Sequence, residues 1–128
     1  MNQPEKLNLK GKTILIVEDD IVCYQLLREI LSDTDAHISH AENTAKAITW
    51  LNENPNINLI FMDIQLPDMS GLQASAVIKK RFPHVPIIIQ TAFAFESYLK
   101  KSKEVGCTDF IEKPLNPSNV LAIVAKYI

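Results

Sequence analysis

The sequence predicts an α/β fold, a doubly wound five-stranded parallel sheet with helices on both faces. Three observations carry this. Short apolar runs recur at Thr13–Val17, 36–41, 58–62, 86–90 and 108–112, and most are continuous and rich in β-branched residues. Such runs suit strands buried on both faces, as in parallel sheets. Each is followed by a stretch with helical spacing of apolar residues, and the connections are short. The length of 128 residues suits one domain with a real core.

Residues 1–11 are polar, with Pro4 and Gly11 and no sustained periodicity, and are expected to form a leader before a domain spanning 12–128. The first strand, Thr13–Val17, ends in Glu18, Asp19 and Asp20. Ile21, Tyr24, Leu27, Ile30 and Leu31 then mark an amphipathic helix over Ile21–Leu31, with Asp20 placed to cap it. The run at 36–41 is the weakest strand. Residues 44–54 read as a helix capped by Asn43 or Thr44, with Pro55 beyond it. The strand at 58–62 runs into Asp63, a loop follows over 67–71, and a helix over 72–81. The strand at 86–90 ends at Thr91, and a helix is expected over 95–105. Lys100, Lys101 and Lys103 lie toward its C-terminal end, and Gly106 suits the position just after it. The last strand, 108–112, ends at Lys113 and Pro114. Asn116 caps a final helix, with Pro117 at its first position.

In doubly wound folds the ligand site lies beyond the carboxyl ends of the strands. Here those ends carry Glu18 and Asp19, Asp63, Thr91 and Lys113. Crowded carboxylates repel one another, and a hard divalent cation relieves that; Mg²⁺ suits such oxygen ligands. Magnesium and lysine both attract phosphate, and one carboxylate is then a candidate nucleophile for a phosphoryl group. Taken singly, each residue has a plainer role: a helix cap, a turn aspartate, a strand-end threonine, a surface lysine. Their convergence at the ends of four strands is what points to a site.

At these residues the chain resembles the receiver domain of two-component response regulators. The resemblance covers nearly everything from Lys12 to Ile128 and rests on ILIVEDD at 14–20, FMDIQLPDMSG at 61–71, PIIIQTA at 86–92 and FIEKP at 110–114. It implies the strand order 2-1-3-4-5, flavodoxin-like, with five flanking helices. Asp63 matches the phosphorylated aspartate. Glu18 and Asp19 match the Mg²⁺-binding acids, with the Gln65 carbonyl and Asp63 completing the ligand set and Mn²⁺ as a substitute metal. Thr91 and Lys113 match the phosphoryl-binding residues, and Phe110 the switch aromatic. Pro67 and Gly71 match the loop after the acceptor, and the Lys113–Pro114 bond is expected to be cis. Gln65 and Phe93 occupy the positions that tune dephosphorylation; the apolar Phe93 is expected to crowd the attacking water and slow hydrolysis. The run QTAFA at 90–94 and the lead-in LKGKT at 9–13 resemble receivers of hybrid sensor kinases. The implied partners are a histidine kinase or phosphotransfer domain, and a downstream protein on the face of the fourth helix, fifth strand and fifth helix. That face also offers a homodimer contact.

Composition excludes other classes. Thirteen basic and fifteen acidic residues leave a formal charge of −2, against direct nucleic-acid binding. No apolar run approaches the roughly 18 residues of a membrane span. Cys23 and Cys107 make neither a disulfide framework nor a zinc pattern, and fit free thiols in a reducing, cytoplasmic setting. His37, His40 and His84 lack partners at ligand spacing and read as bystanders; Trp50 reads as a packing residue. Two rival functions remain open. An aspartyl-nucleophile, Mg²⁺-dependent phosphatase would carry an acid where Gln65 stands, and a non-phosphorylated pseudo-receiver would lack one of the key residues.

Overall fold

Strands β1 (Thr13–Val17), β2 (His37–Ala41), β3 (Leu59–Asp63), β4 (Ile87–Thr91) and β5 (Asp109–Glu112) form one parallel sheet. Its order is β2-β1-β3-β4-β5. The helices between them are α1 (Ile21–Leu31), α2 (Thr44–Glu53), α3 (Gly71–Arg81), α4 (Glu96–Glu104) and α5 (Pro117–Tyr127), with a 3₁₀ turn at Ser32–Thr34. This is a computed structural model, and it describes residues 7–92 and 96–128. Residues 1–6, Phe93 and the expected start of the fourth helix at Phe95 lie outside the described residues.

The continuous apolar strands follow from a sheet covered on both faces. Leu15, Val17, Ile60, Met62, Ile87 and Ile89 meet Ala47 and Leu51 of α2 and Ala74 and Ile78 of α3. The alternate residues, Ile14, Ile16, Leu59, Phe61, Ile88 and Ile111, meet Leu27 and Leu31 of α1 and Val120 and Val124 of α5. The period of two sends neighbouring side chains to opposite cores. β2 is an edge strand with only Ala41 buried, which is why its sequence signal is weak.

The caps follow the sequence. Asp20 accepts from Val22 N at 2.9 Å, Asn43 from Lys46 N at 2.8 Å, and Asn116 from Ser118 N at 2.9 Å. Ser70 and Gln73 add a capping box on α3 that the sequence reading missed. Gly106 takes φ +95°, as its place after α4 requires. Part of the segment expected to be a leader packs onto the domain. Leu9 is buried, and its N–H donates to the Thr34 carbonyl at 2.6 Å.

Candidate functional site

The chain goes from β1 to β2 on one side and returns to β3 on the other, so a crevice opens where the two directions part. Glu18 leaves β1 fully buried, while Asp19 is exposed. Asp63 is the last residue of β3 and also buried. One carboxylate oxygen from each of Glu18, Asp19 and Asp63 lies within 4.8 Å of the others. Lys113, just past β5, places Nζ 3.0 Å from Glu18 Oε1 and 3.2 Å from Asp63 Oδ1. Around them is an open pocket of about 540 Å³, lined also by Asp20, Gln65, Pro67 and Ala92.

This arrangement strains Glu18. Burial, and then the neighbouring Asp63 carboxylate, push its pKa from 4.5 up to about 7, against the pull of Lys113. Burial alone would depress Lys113, but its bonds to Glu18 and Asp63 raise its pKa above the ordinary value, so it stays an ammonium. One lysine charge thus faces a three-carboxylate cluster. The donor set is all oxygen, compact and anionic, which fits a hard divalent cation.

Two backbone contacts brace the segment between β3 and α3. Gly71 N donates to the Ile64 carbonyl at 2.7 Å, and Gln65 bridges to Ser70. Gly71 is required for space, not for an unusual backbone angle. A Cβ there would collide with the Asp63 carbonyl oxygen and lie 2.8 Å from Ile64 Cα. Asp68, given no role from sequence, anchors this loop. Its two carboxylate oxygens accept from Thr44 N at 3.1 Å and Ala45 N at 3.0 Å, across the start of α2. Burial works against its charge, but these backbone donors prevail and hold its carboxyl below the usual range. No local signal announces this contact, because the partners lie 24 and 23 residues away.

Thr91 is fully buried at the end of β4, and its carbonyl accepts from Lys113 N at 2.8 Å. Ala92, not Thr91, supplies the pocket wall there. Phe110 lies opposite Ile89 in β5, half-buried against the core shared with α3. The Lys113–Pro114 bond is cis. Phe93 lies outside the described residues. Gln90 is buried beside Asp63 in the sheet register, and neither atom of its side-chain amide has a hydrogen-bond partner among the described residues. His40, read from sequence as a bystander, does make a long-range contact. Its Nε2 lies 2.7 Å from the Glu18 carbonyl oxygen, a contact between β2 and the acidic turn that spacing could not reveal. His84 makes one contact at 3.4 Å, to the Pro55 carbonyl.

A buried carboxylate beside two further carboxylates and an ammonium has the groups needed to accept an electrophilic phosphoryl group. The family model of the response regulator receiver domain matches residues 14–125. The chain is 33% identical over 126 residues to hybrid signal transduction histidine kinase L of Dictyostelium discoideum, covering 93% of this chain and 7% of that protein. It is 29% identical over 119 residues to the polar-differentiation response regulator DivK of Brucella anthropi, covering 91% of this chain and 96% of that protein. The chain spans only 7%, 16% and 27% of three of its curated relatives, each a much longer protein. Among solved structures, a CheY-like receiver domain protein of Methanospirillum hungatei superposes with a TM-score of 0.82 at 30% identity, over 90% of this chain and 91% of that one.

Proposed function

This chain belongs to the response regulator receiver domain family, and from that premise we infer that it is the phosphoacceptor switch of a two-component phosphorelay. The observation that carries the reading is Asp63, buried at the end of β3 among two further carboxylates and 3.2 Å from Lys113. An Asp63 oxygen attacks the phosphorus of a phosphohistidine on a histidine kinase or phosphotransfer domain. The P–O bond forms as the P–N bond breaks, and the imidazole leaves with the bonding pair. Glu18, Asp19, Asp63 and the Gln65 carbonyl would hold Mg²⁺, or Mn²⁺ in its place, and that ion when bound would supply positive charge against the incoming phosphoryl group. Lys113 pairs with the same phosphoryl oxygens. Electrostatics and alignment supply most of the acceleration.

Thr91 then turns toward the phosphoryl group and Phe110 rotates into the space it leaves. A local charge change thereby biases a packed, two-state element. Gln65 and Phe93 set how readily water reaches the acyl phosphate. Ile21, Val22 and Leu26 expose apolar surface on α1 beside Asp20, suited to a docking phosphodonor protein. Downstream partners, and a homodimer, use the face of α4, β5 and α5. A cytosolic setting accords with this role.

The test is incubation with acetyl phosphate and Mg²⁺, read by intact mass. The wild type gains one phosphoryl group, Asp63→Asn gains none, and Asp68→Asn gains it as the wild type does. EDTA stops the reaction. Full labelling of Asp63→Asn overturns the reading.

A further inference from the structure

His40 sits on β2, opposite Ile16 in the sheet register, on the face covered by α1. Its ring stacks on Tyr24 of α1, with centroids 3.7 Å apart and planes 7° apart. Its Nε2 lies 2.7 Å from the Glu18 carbonyl oxygen. A carbonyl only accepts, so this nitrogen carries the proton. The Glu18 N–H meanwhile donates to the Ala41 carbonyl at 3.0 Å. The main chain of Glu18 is therefore clipped to β2 on both sides. The N–H clip is ordinary ladder bonding, whereas the carbonyl clip depends on one side chain.

That carbonyl belongs to the peptide unit joining Glu18 to Asp19. Its direction sets ψ of Glu18 and φ of Asp19, and hence where both carboxylates start. The Tyr24 face holds the imidazole in one plane, so the N–H stays aimed at the carbonyl. A ring that merely filled space would not need its nitrogen at 2.7 Å from that oxygen.

We propose that His40 is a positioning residue for the metal site: its Nε2–H, held by the Tyr24 stack, orients the Glu18–Asp19 peptide so that the acidic pair binds a divalent cation. The inference rests on the reading of Glu18, Asp19 and Asp63 as Mg²⁺ ligands. Groups behind metal ligands tune affinity by aligning them. His40 acts one step further back, through the backbone, so its removal weakens Mg²⁺ binding about three- to tenfold, less than the loss of a direct partner of a ligand.

The experiment is calorimetric titration of the unphosphorylated protein with Mg²⁺, for the wild type, His40→Leu and His40→Gln. Metal-free melting temperatures are measured alongside. His40→Leu is expected to bind about three- to tenfold more weakly, and His40→Gln, which keeps an N–H donor, to stay within about twofold of the wild type. A purely packing role would lower the melting temperature of His40→Leu and leave its Mg²⁺ affinity unchanged; that result overturns the proposal. So does a His40→Gln affinity as weak as that of His40→Leu. If His40→Leu does not fold, Tyr24→Leu against Tyr24→Phe decides. Weaker binding in the leucine variant alone supports the proposal, and equal binding in both overturns it. A wild type that binds no Mg²⁺ removes the metal reading itself, and this inference with it. A wild type that binds, with His40→Leu equal to it, removes only the role of His40.

Discussion

Glu18→Gln isolates the electrostatic strain stored in the pocket. In the folded chain the Glu18 carboxyl titrates at about 7, against 4.5 ordinarily. At about 1.4 kcal/mol per pKa unit, that rise corresponds to about 3 kcal/mol of destabilisation once the group is ionised. Between pH 4.5 and 7 the native state holds a proton that the unfolded chain has lost. Stability from this group is therefore complete below the lower value and falls as pH rises toward the upper one. Glutamine keeps an oxygen for the Lys113 bond at 3.0 Å but never ionises. Lys113, whose pKa is raised, loses its contribution only in the alkaline range and leaves this window clear. Urea unfolding of both proteins in EDTA, across this range, gives the difference directly. The variant's advantage is expected to grow by about 3 kcal/mol from the acid end to the alkaline end. Mg²⁺ works the opposite way, because it binds the ionised form, so its affinity falls about tenfold per pH unit below the Glu18 pKa. A stability difference that is the same at both ends of the range refutes the reasoning.

Other expectations follow from the neighbouring geometry. Gly71→Ala drives a methyl group into the backbone of Asp63 and Ile64, which cannot rotate away; it should destabilise the fold by about 2 kcal/mol and slow labelling by acetyl phosphate, and normal stability would count against the steric account. Gln90→Leu removes a buried amide with no partner on either polar atom among the described residues; urea unfolding should show a gain of about 1–2 kcal/mol, and a loss would mean that the amide is satisfied in solution. Thr91→Ala should still accept a phosphoryl group yet blunt the NMR shifts of Phe110 and its neighbours; equal shifts in both proteins would sever Thr91 from the switch.

The strands were legible because burial on both faces leaves its mark at consecutive positions, as in Leu59–Asp63. The helix caps at Asp20, Asn43 and Asn116 were legible because capping is a contact over two or three residues. Parallel strands bring their carboxyl ends to one edge, so Glu18, Asp19, Asp63 and Lys113 could be gathered into one site before any distance was known. What depended on distant neighbours was not legible. Gly71 carries no mark of the Asp63 carbonyl above it, and Asp68 carries none of the α2 N–H groups that it meets. His40 has no partner within its own segment; its bond to Glu18, 22 residues away in the chain, exists only because β2 lies beside β1. Leu9 looked like part of a polar leader until the 3₁₀ turn after α1 offered its carbonyl. Sequence determined the periodic and local features, since those follow from burial pattern and backbone chemistry within a few residues. Tertiary structure alone decided which distant group meets each side chain, because hydrogen bonds and steric contacts act over a few ångströms of space and leave no period in the chain.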